Sequence, residues 1–312
     1  MRVCHFGAAV LLLVGLAACA SGGSPTTTSN TDVVAGKVPV AAYLGAADAS
    51  REDGRYSEAL QIYQQVLVSD PKSIGAQFGV AECLLGLGKA EDARPMFEAL
   101  AQDKSLHAVA LQGKGLAHLA LAQHEQAAKA LRAATEADPS LWRAWNGLGL
   151  LADLKREPHE AEDAYGTALA FNPDSAALHN NLGYSHLLAG QADAAMSELR
   201  KANALDPTSE TVQNNYRLAL AVKGNYAEAM RGVSKSMLPT TLNNVGVVAM
   251  QRGDLATAEG YFARAMESSP SFNTITSKNI EQLTAIKNEG VDTSVGPDRS
   301  FSAKKLDAPV KP

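Results

Sequence analysis

Residues 142–175 read WRAWNGLGLLADLKREPHEAEDAYGTALAFNPDS and contain the pattern that decides the fold. Gly149 and Ala161 are small, so two helices can approach closely at these positions, and Tyr165 is large enough to fill the space that remains. Pro173 ends the segment because its ring removes a backbone donor and clashes with the preceding helical turn. The stretch predicts a pair of antiparallel helices, and one such pair cannot bury its own apolar face.

The same pattern recurs every 34 residues. With the closing proline at position 32, repeats begin at residues 40, 74, 108, 142, 176 and 210, and a seventh begins at 239 after a sixth repeat that is five residues short. Position 20 is alanine in every repeat, namely Ala59, Ala93, Ala127, Ala161, Ala195, Ala229 and Ala258. Stacked repeats bury a continuous core that a single repeat cannot. The sequence therefore predicts an all-α solenoid of about seven helix–turn–helix repeats over residues 40–272.

The pattern resembles the tetratricopeptide repeat (TPR), which has a large residue, a Leu-Gly pair and then Ala, Tyr, Ala and Pro; here these include Leu148, Gly149 and Ala168. The resemblance implies that the first helix of each repeat lines a concave face through positions 2, 5, 9, 12 and 13. Position 5 is asparagine in repeats four to seven, and the flanking positions are mostly apolar. The predicted groove residues are Asn146, Asn180, Asn214, Asn243, Leu150, Leu154, Tyr184, Leu187, Leu188, Leu218, Val222, Val247 and Met250.

Such a groove would bind a protein partner as a peptide or an amphipathic helix, because amides bond to a peptide backbone and apolar side chains bury apolar groups. Two alternatives stay open. Asparagine near these positions also belongs to the general repeat pattern, as at Asn181 and Asn215. The second alternative is that the groove is too narrow for a partner or is filled by the chain's own tail, FSAKKLDAPVKP, residues 301–312.

Composition and motifs argue against several other functions. The 312 residues carry a formal charge of −5 without a dense basic stripe, so nucleic acid is not an expected partner. His118 and His124, and also His179 and His186, lack the i, i+4 spacing of a helical zinc pair, and we expect these histidines to face solvent or to be loosely packed. No phosphate-binding loop or nucleophile motif is present, so we expect no enzyme activity, metal or cofactor.

The chain begins with a predicted lipoprotein signal peptide at residues 1–18. Its apolar run is too short to span a bilayer and ends in Leu-Ala-Ala before Cys19, which we predict to be lipidated. An ordinary signal-peptidase site with an accidental cysteine is the alternative. Several acyl chains would anchor the protein stably. Ala20 after the cysteine predicts the periplasmic face of a bacterial outer membrane, and the polar residues 19–39 are predicted to form a flexible tether.

At the other end, residues 273–287 are predicted to form a capping helix and residues 288–312 a disordered tail. The whole layout resembles the TadD-type lipoproteins of tight-adherence (Flp) pilus systems, most closely over residues 234–283, SKSMLPTTLNNVGVVAMQRGDLATAEGYFARAMESSPSFNTITSKNIEQL. The resemblance implies a pilotin-like scaffold that binds a secretin or another pilus assembly subunit. The alternative is a TPR lipoprotein that regulates or scaffolds periplasmic cell-wall or outer-membrane assembly enzymes.

Overall fold

The computed structural model describes residues 40–268 and 273–288. The predicted signal peptide, Cys19, the tether and the tail from residue 289 onward lie outside the described residues. Within the described ranges every regular element is an α-helix, which confirms the all-α prediction. None of these helices is long and apolar enough to cross a membrane.

Fifteen helices occupy the described residues. They are α1 (Val40–Glu52), α2 (Tyr56–Ser69), α3 (Ile74–Gly86), α4 (Ala90–Leu100), α5 (His107–Ala120), α6 (His124–Ala137), α7 (Trp142–Lys155), α8 (Pro158–Phe171), α9 (Ala176–Leu188), α10 (Ala192–Leu205), α11 (Glu210–Val222), α12 (Tyr226–Ala229), α13 (Leu238–Arg252), α14 (Leu255–Ser268) and α15 (Asn273–Asn288). The odd-numbered helices α1 to α13 are the first helices of the seven repeats, and each begins at its repeat start or one residue before it.

Contacts divide the chain into two compact bodies, separated between Leu151 and Ala152. The N-terminal body contains α1 to α6 and most of α7. The C-terminal body contains the last turn of α7 and helices α8 to α15.

The turn between the two helices of a repeat has one residue in the left-handed backbone region, at position 15. Five repeats have glycine there, which adopts this conformation without a steric penalty. These are Gly54, Gly88, Gly190, Gly224 and Gly253. Repeats three and four instead place Ala122 (φ 54°) and Arg156 (φ 62°) at this position.

The connection between successive repeats is built from aspartate and serine. At the end of repeat five, the Asp206 carboxylate accepts hydrogen bonds from the backbone N–H groups of Thr208 and Ser209, at 3.1 and 3.0 Å. The Ser209 hydroxyl then accepts from the Val212 N–H at 3.4 Å and caps α11. Ser73 and Ser175 cap α3 and α9 in the same way. These local bonds satisfy donors that a helix N-terminus leaves unpaired.

In the N-terminal body, the side chain at position 24 packs against glycine on the first helix of the next repeat. A Cβ atom added at Gly79 would lie 2.2 Å from the Tyr63 ring, and one added at Gly113 would lie 2.3 Å from the Phe97 ring. No real Cβ atom makes contacts this short, so only glycine fits. Position 6 is therefore a site of close contact between repeats, which the sequence pattern did not predict.

Leu131 shows that position 24 contacts two first helices. Its side chain lies 2.6 Å from the Cβ position of Gly115, at position 8 of its own repeat, and 2.8 Å from that of Gly147, at position 6 of the next repeat. The C-terminal body retains the first of these contacts: a Cβ at Gly183 would lie 2.5 Å from Leu199. Small residues at position 8 thus allow the close helix approach that the sequence predicted.

Repeat six departs from this scheme because its second helix, α12, is only four residues long. Position 8 of this repeat is Arg217, and its guanidinium donates hydrogen bonds to the carbonyls of Ala229 at 3.0 Å and Arg231 at 2.8 Å. The arginine therefore satisfies carbonyl groups where the helix stops early. The arginine at position 8 therefore accompanies the shortening of this repeat by five residues.

Three histidines that we expected to face solvent or to be loosely packed are buried instead: His118, His179 and His186 are 7%, 8% and 7% exposed. Nδ1 of His118 lies 2.6 Å from Oε1 of Gln123, and His186 makes the same contact with Gln191 at 2.5 Å. For His118 and His186 the expectation failed because the turn brings position 11 of a repeat next to position 16. For His179 it failed because Glu198 and the Pro173 carbonyl lie 2.6 and 2.9 Å from its ring nitrogens.

Candidate protein-binding face

The first helices of neighbouring repeats touch one another within each body. We use the term first-helix face for the surface formed by positions 2, 5, 9, 12 and 13 of these helices. Most of the predicted groove residues are less than 10% exposed, because side chains on neighbouring first helices cover one another. The buried ones are Asn146, Asn180, Asn243, Leu150, Leu187, Leu218, Val222 and Met250. They contribute little surface to a partner in this conformation.

The remaining predicted residues keep solvent-accessible surface. Leu154 is 38% exposed, and Tyr184, Leu188, Asn214 and Val247 are half-buried. All five belong to the C-terminal body. Tyr184 packs at the margin of the core cluster that contains Leu187 and Leu218, and Val247 at the margin of the cluster around Met250. The accessible part of the predicted groove is therefore a set of side chains that lie over a packed core.

The predicted asparagines Asn180 and Asn243 bond within the protein. Asn215 donates from Nδ2 to Oδ1 of Asn180 at 2.9 Å, which joins α9 to α11. Asn243 accepts at Oδ1 from Nδ2 of Asn279 at 2.8 Å, which joins α13 to α15. The amides therefore link successive first helices. Asn214 is half-buried, whereas the other three predicted asparagines are buried.

The last helix, α15, takes the place of the first helix of a further repeat. The Thr276 hydroxyl lies 3.4 Å from Oδ1 of Asn243, and Leu283 is 2% exposed in the cluster around Phe262. The surface of α15 away from these contacts is largely polar. Terminal repeats with a polar outer surface keep a solenoid soluble, and the capping role of this segment stays a prediction.

In the N-terminal body the first-helix face carries charged residues that our sequence reasoning missed. Nη1 of Arg143 lies 2.7 Å from Oε2 of Glu82, although the residues are 61 apart in the chain. Glu82 is at position 9 of repeat two, Arg143 at position 2 of repeat four and Arg51 at position 12 of repeat one. Positions 2, 5, 9, 12 and 13 were used to choose groove residues in repeats four to seven. The same position rule, applied to repeats one to four, would have selected these charged residues.

Arg51 is held by neighbours on its own repeat. Its Nε donates to the Tyr63 hydroxyl at 3.4 Å, and Tyr63 donates to Oδ1 of Asp48 at 2.5 Å. Burial and the bond to Asp48 raise the pKa of Tyr63, so the phenol stays neutral and donates. Arg51 also lies within 4 Å of Asp48 and Glu52.

In the C-terminal body, Asp153 occupies position 12 of repeat four. Its carboxylate accepts hydrogen bonds from the Tyr165 hydroxyl at 2.9 Å and the Ser185 hydroxyl at 2.6 Å. Burial raises the pKa of Asp153 above its ordinary value, while the two hydroxyl bonds oppose this shift. The carboxylate joins α7, α8 and α9, and it is an organising residue of this part of the face.

The described residues contain no group of three or more His, Cys, Asp or Glu side chains placed to hold a metal ion. Cys83 is fully buried, and burial raises the pKa of its thiol to about 11. A thiol in these surroundings stays protonated and unreactive at neutral pH.

The stacked helix pairs, the left-handed turn residue and the small positions between helices define a TPR protein. The chain belongs to the TPR family described as the cilia and flagella-associated protein 70 C-terminal domain, whose model matches residues 7–236. Proteins of this repeat class are typically non-catalytic scaffolds that bind other proteins.

Comparisons with individual proteins agree with the fold. A thermophilic TPR protein of Thermus thermophilus is 23% identical, with a TM-score of 0.53 over 58% of this chain and 99% of that one. The Cut9–Hcn1 hetero-tetramer of the APC/C gives 18% identity and a TM-score of 0.55 over 78% of this chain and 49% of the matched one. Superkiller complex protein 3 of Mus musculus is 27% identical over 237 residues, which is 72% of this chain but only 14% of that protein.

Proposed function

We propose that this chain is a lipid-anchored periplasmic scaffold and that its first-helix face binds a protein partner. One observation carries the binding proposal. In the C-terminal body, Leu154, Tyr184, Leu188 and Val247 keep exposed surface on the face where adjacent first helices meet. Partly exposed apolar side chains over a packed core fit an amphipathic helix or an extended segment, because the partner can bury apolar area on them.

We further propose that the partner belongs to a tight-adherence pilus secretion apparatus, with the chain acting like a pilotin. Support comes from the combination of a lipobox at Cys19, a short polar tether and the TPR array, and from the likeness of residues 234–283 to that lipoprotein family. Two proteins that the chain resembles are named as members of multiprotein complexes, which fits a scaffold role.

The proposed location is the periplasmic face of the outer membrane. It rests on the lipidation of Cys19 and on Ala20 as a sorting residue. Several acyl chains on one cysteine hold a protein at the membrane far longer than a single chain. The anchor would keep the binding face close to an outer-membrane channel.

A crosslinked pull-down from membranes tests the location and the partner together. We would compare the wild-type chain with Cys19→Ser and identify the captured proteins. Recovery of a secretin or a pilus subunit with the wild type, and its loss with Cys19→Ser, would support the proposal. Recovery of a cell-wall hydrolase or synthase in place of pilus components would instead favour a regulator of envelope enzymes.

A second experiment tests the face. Tyr184→Ser and Val247→Ser remove exposed apolar surface and should reduce capture of the partner while the protein remains folded. Val68→Ser is the matched control, since Val68 is 82% exposed on α2, a second helix in the N-terminal body. If the control reduces capture as strongly as Val247→Ser, the first-helix face is not the binding surface.

A further inference from the structure

The ion pair between Glu82 and Arg143 is bonded at only one point. An arginine and a carboxylate can form two parallel hydrogen bonds. Here Nη1 of Arg143 bonds to Oε2 of Glu82 at 2.7 Å, while Oε1 of Glu82 and Nε of Arg143 have no hydrogen-bond partner. Glu82 is 94% buried, because its exposed fraction is 6%. The pair therefore leaves one acceptor and one donor unmatched.

Unmatched buried polar groups cost free energy and call for an explanation such as a ligand. The pair lies next to the surface, because the Arg143 side chain is 20% exposed, and a ligand would reach both atoms after a shift of this side chain. Both residues occupy first-helix face positions, so the uncovered atoms would meet whatever binds to this face.

Charge selects the class of ligand. The Glu82–Arg143 pair is neutral, and the nearby Arg51 is already engaged by Tyr63, Asp48 and Glu52. An extra charged group here would lack a counter-charge, whereas a neutral group with one donor and one acceptor would satisfy both free atoms. An extended residue of a polypeptide is such a group, since its N–H and C=O point to the same side of the strand.

The apolar surroundings suit the side chains of the same segment. Phe78 and Leu85 of α3 and Leu119 of α5 are half-buried at positions 5 and 12 of the first-helix face. In an extended segment, side chains adjacent to the bonded residue point away from it and can lie over such a surface.

We propose that Glu82 and Arg143 form a backbone-recognition site for an extended segment of a protein partner. The N–H of one residue of that segment donates to Oε1 of Glu82, and its C=O accepts from Nε–H of Arg143. The site deepens the proposed function, on which it rests for the presence of a partner, and places a contact in the N-terminal body.

The test uses the full chain with ¹⁵N-labelled arginine and follows the Nε–H resonances by NMR. The Arg143 resonance is assigned by its absence in Arg143→Lys. The probe is N-acetylalanine N-methylamide, a small molecule with the N–H and C=O of one residue. We expect the probe to shift the Arg143 resonance while those of exposed arginines, such as Arg94, stay in place. Sodium acetate at the same concentration should leave the Arg143 resonance unshifted.

Glu82→Gln should abolish the shift in a folded protein, because the amide has a single acceptor oxygen, which Arg143 uses, and its NH2 group would oppose the N–H of the probe. Glu98→Gln is the matched control: Glu98 pairs with Lys114 on an exposed surface, and its substitution should leave the shift intact. No response of Arg143 to the probe in the wild type would overturn the proposal, as would an equal response to acetate, and these two results need no variant of Glu82. If a partner is captured but the probe does not shift the Arg143 resonance, this site alone is refuted. If the probe shifts the Arg143 resonance but no partner is captured, the proposed function is refuted.

Discussion

The N-terminal and C-terminal bodies use different residues at position 6 of their repeats. Repeats two to four have Gly79, Gly113 and Gly147, and large side chains of the preceding repeat press against them. Repeats five to seven have asparagine, and Asn215 reaches Asn180 on the neighbouring first helix by a buried hydrogen bond. At this position the N-terminal body joins its repeats by close packing, whereas in the C-terminal body Asn215 joins two repeats by a polar bond.

The difference teaches that one 34-residue pattern allows two kinds of repeat junction. A glycine contact requires a large partner and tolerates no added atom. An amide contact requires a polar partner at bonding distance and loses stability if either is removed. The two bodies should therefore respond to different substitutions, although their helices follow the same order.

The largest effect is expected at the glycine junction. Gly113→Ala places a Cβ 2.3 Å from the Phe97 ring, which is fully buried. Overpacking should lower the free energy of unfolding by about 2–3 kcal/mol, measured by urea denaturation. Gly45→Ala is the control at position 6 of repeat one, where nothing lies within 4 Å. It should be neutral or stabilising by up to about 1 kcal/mol; equal losses in both variants would mean that the contact with Phe97 is unimportant.

The amide junction should be weaker but still measurable. Asn215→Ala leaves Oδ1 of Asn180 without its donor in buried surroundings, and we expect a loss of about 1–2 kcal/mol. Asn214→Ala, at the adjacent half-buried position, should change stability by less than about 0.5 kcal/mol. Thermal melting of the two variants side by side distinguishes them. A larger loss for Asn214→Ala would reverse our assignment of structural and surface roles.

Arg217 extends the comparison, because it puts a cation at a position where the other repeats have glycine or alanine. Arg217→Met keeps the bulk of the side chain but removes the hydrogen bonds to the carbonyls of Ala229 and Arg231. We expect a loss of about 1 kcal/mol, with faster amide hydrogen exchange in α12 and the turn after it. Arg231→Ala, which retains the carbonyl that Arg217 uses, should exchange at the wild-type rate. Unchanged exchange in Arg217→Met would show that the short helix does not need the arginine.

The smallest effect concerns the turns, where the two bodies agree. Ala122 and Arg156 adopt positive φ values at the position that is glycine in the other repeats. Ala122→Gly and Arg156→Gly should each raise the free energy of unfolding by about 0.5 kcal/mol, because relief of the left-handed strain exceeds the entropy cost of glycine. The reverse change, Gly190→Ala, should lower it. Chemical denaturation with replicate midpoints can measure a change of this size. A loss of stability in both glycine variants would show that Ala122 and Arg156 are not strained.

The repeat pattern predicted a large part of the fold. First helices begin at or one residue before the predicted starts, and at several boundaries aspartate and serine form local bonds, as Asp206 and Ser209 do. The shortened second helix of repeat six was also visible as five missing residues. These features depend on neighbours in the chain, which a sequence pattern records directly.

The candidate site was predicted less completely. The position rule selected one face of the first helices but could not distinguish Tyr184, which keeps exposed surface, from Leu187, which is 1% exposed. Both are apolar residues of one helix, and their exposure depends on how closely the next first helix approaches. The Glu82–Arg143 contact was missed for a related reason, because it spans two repeats and each residue alone resembles an ordinary surface charge.

The sequence by itself determined the class of fold, the starts of the first helices and the need for small residues at positions 8 and 20, since propensity, capping and the 34-residue period act within one or two repeats. Only the tertiary structure decided which asparagines serve as links between helices, which apolar residues remain accessible and where a carboxylate is buried against an arginine 61 residues away. Those outcomes depend on the distance and angle between stacked helices, and these are set by the combined packing of many side chains.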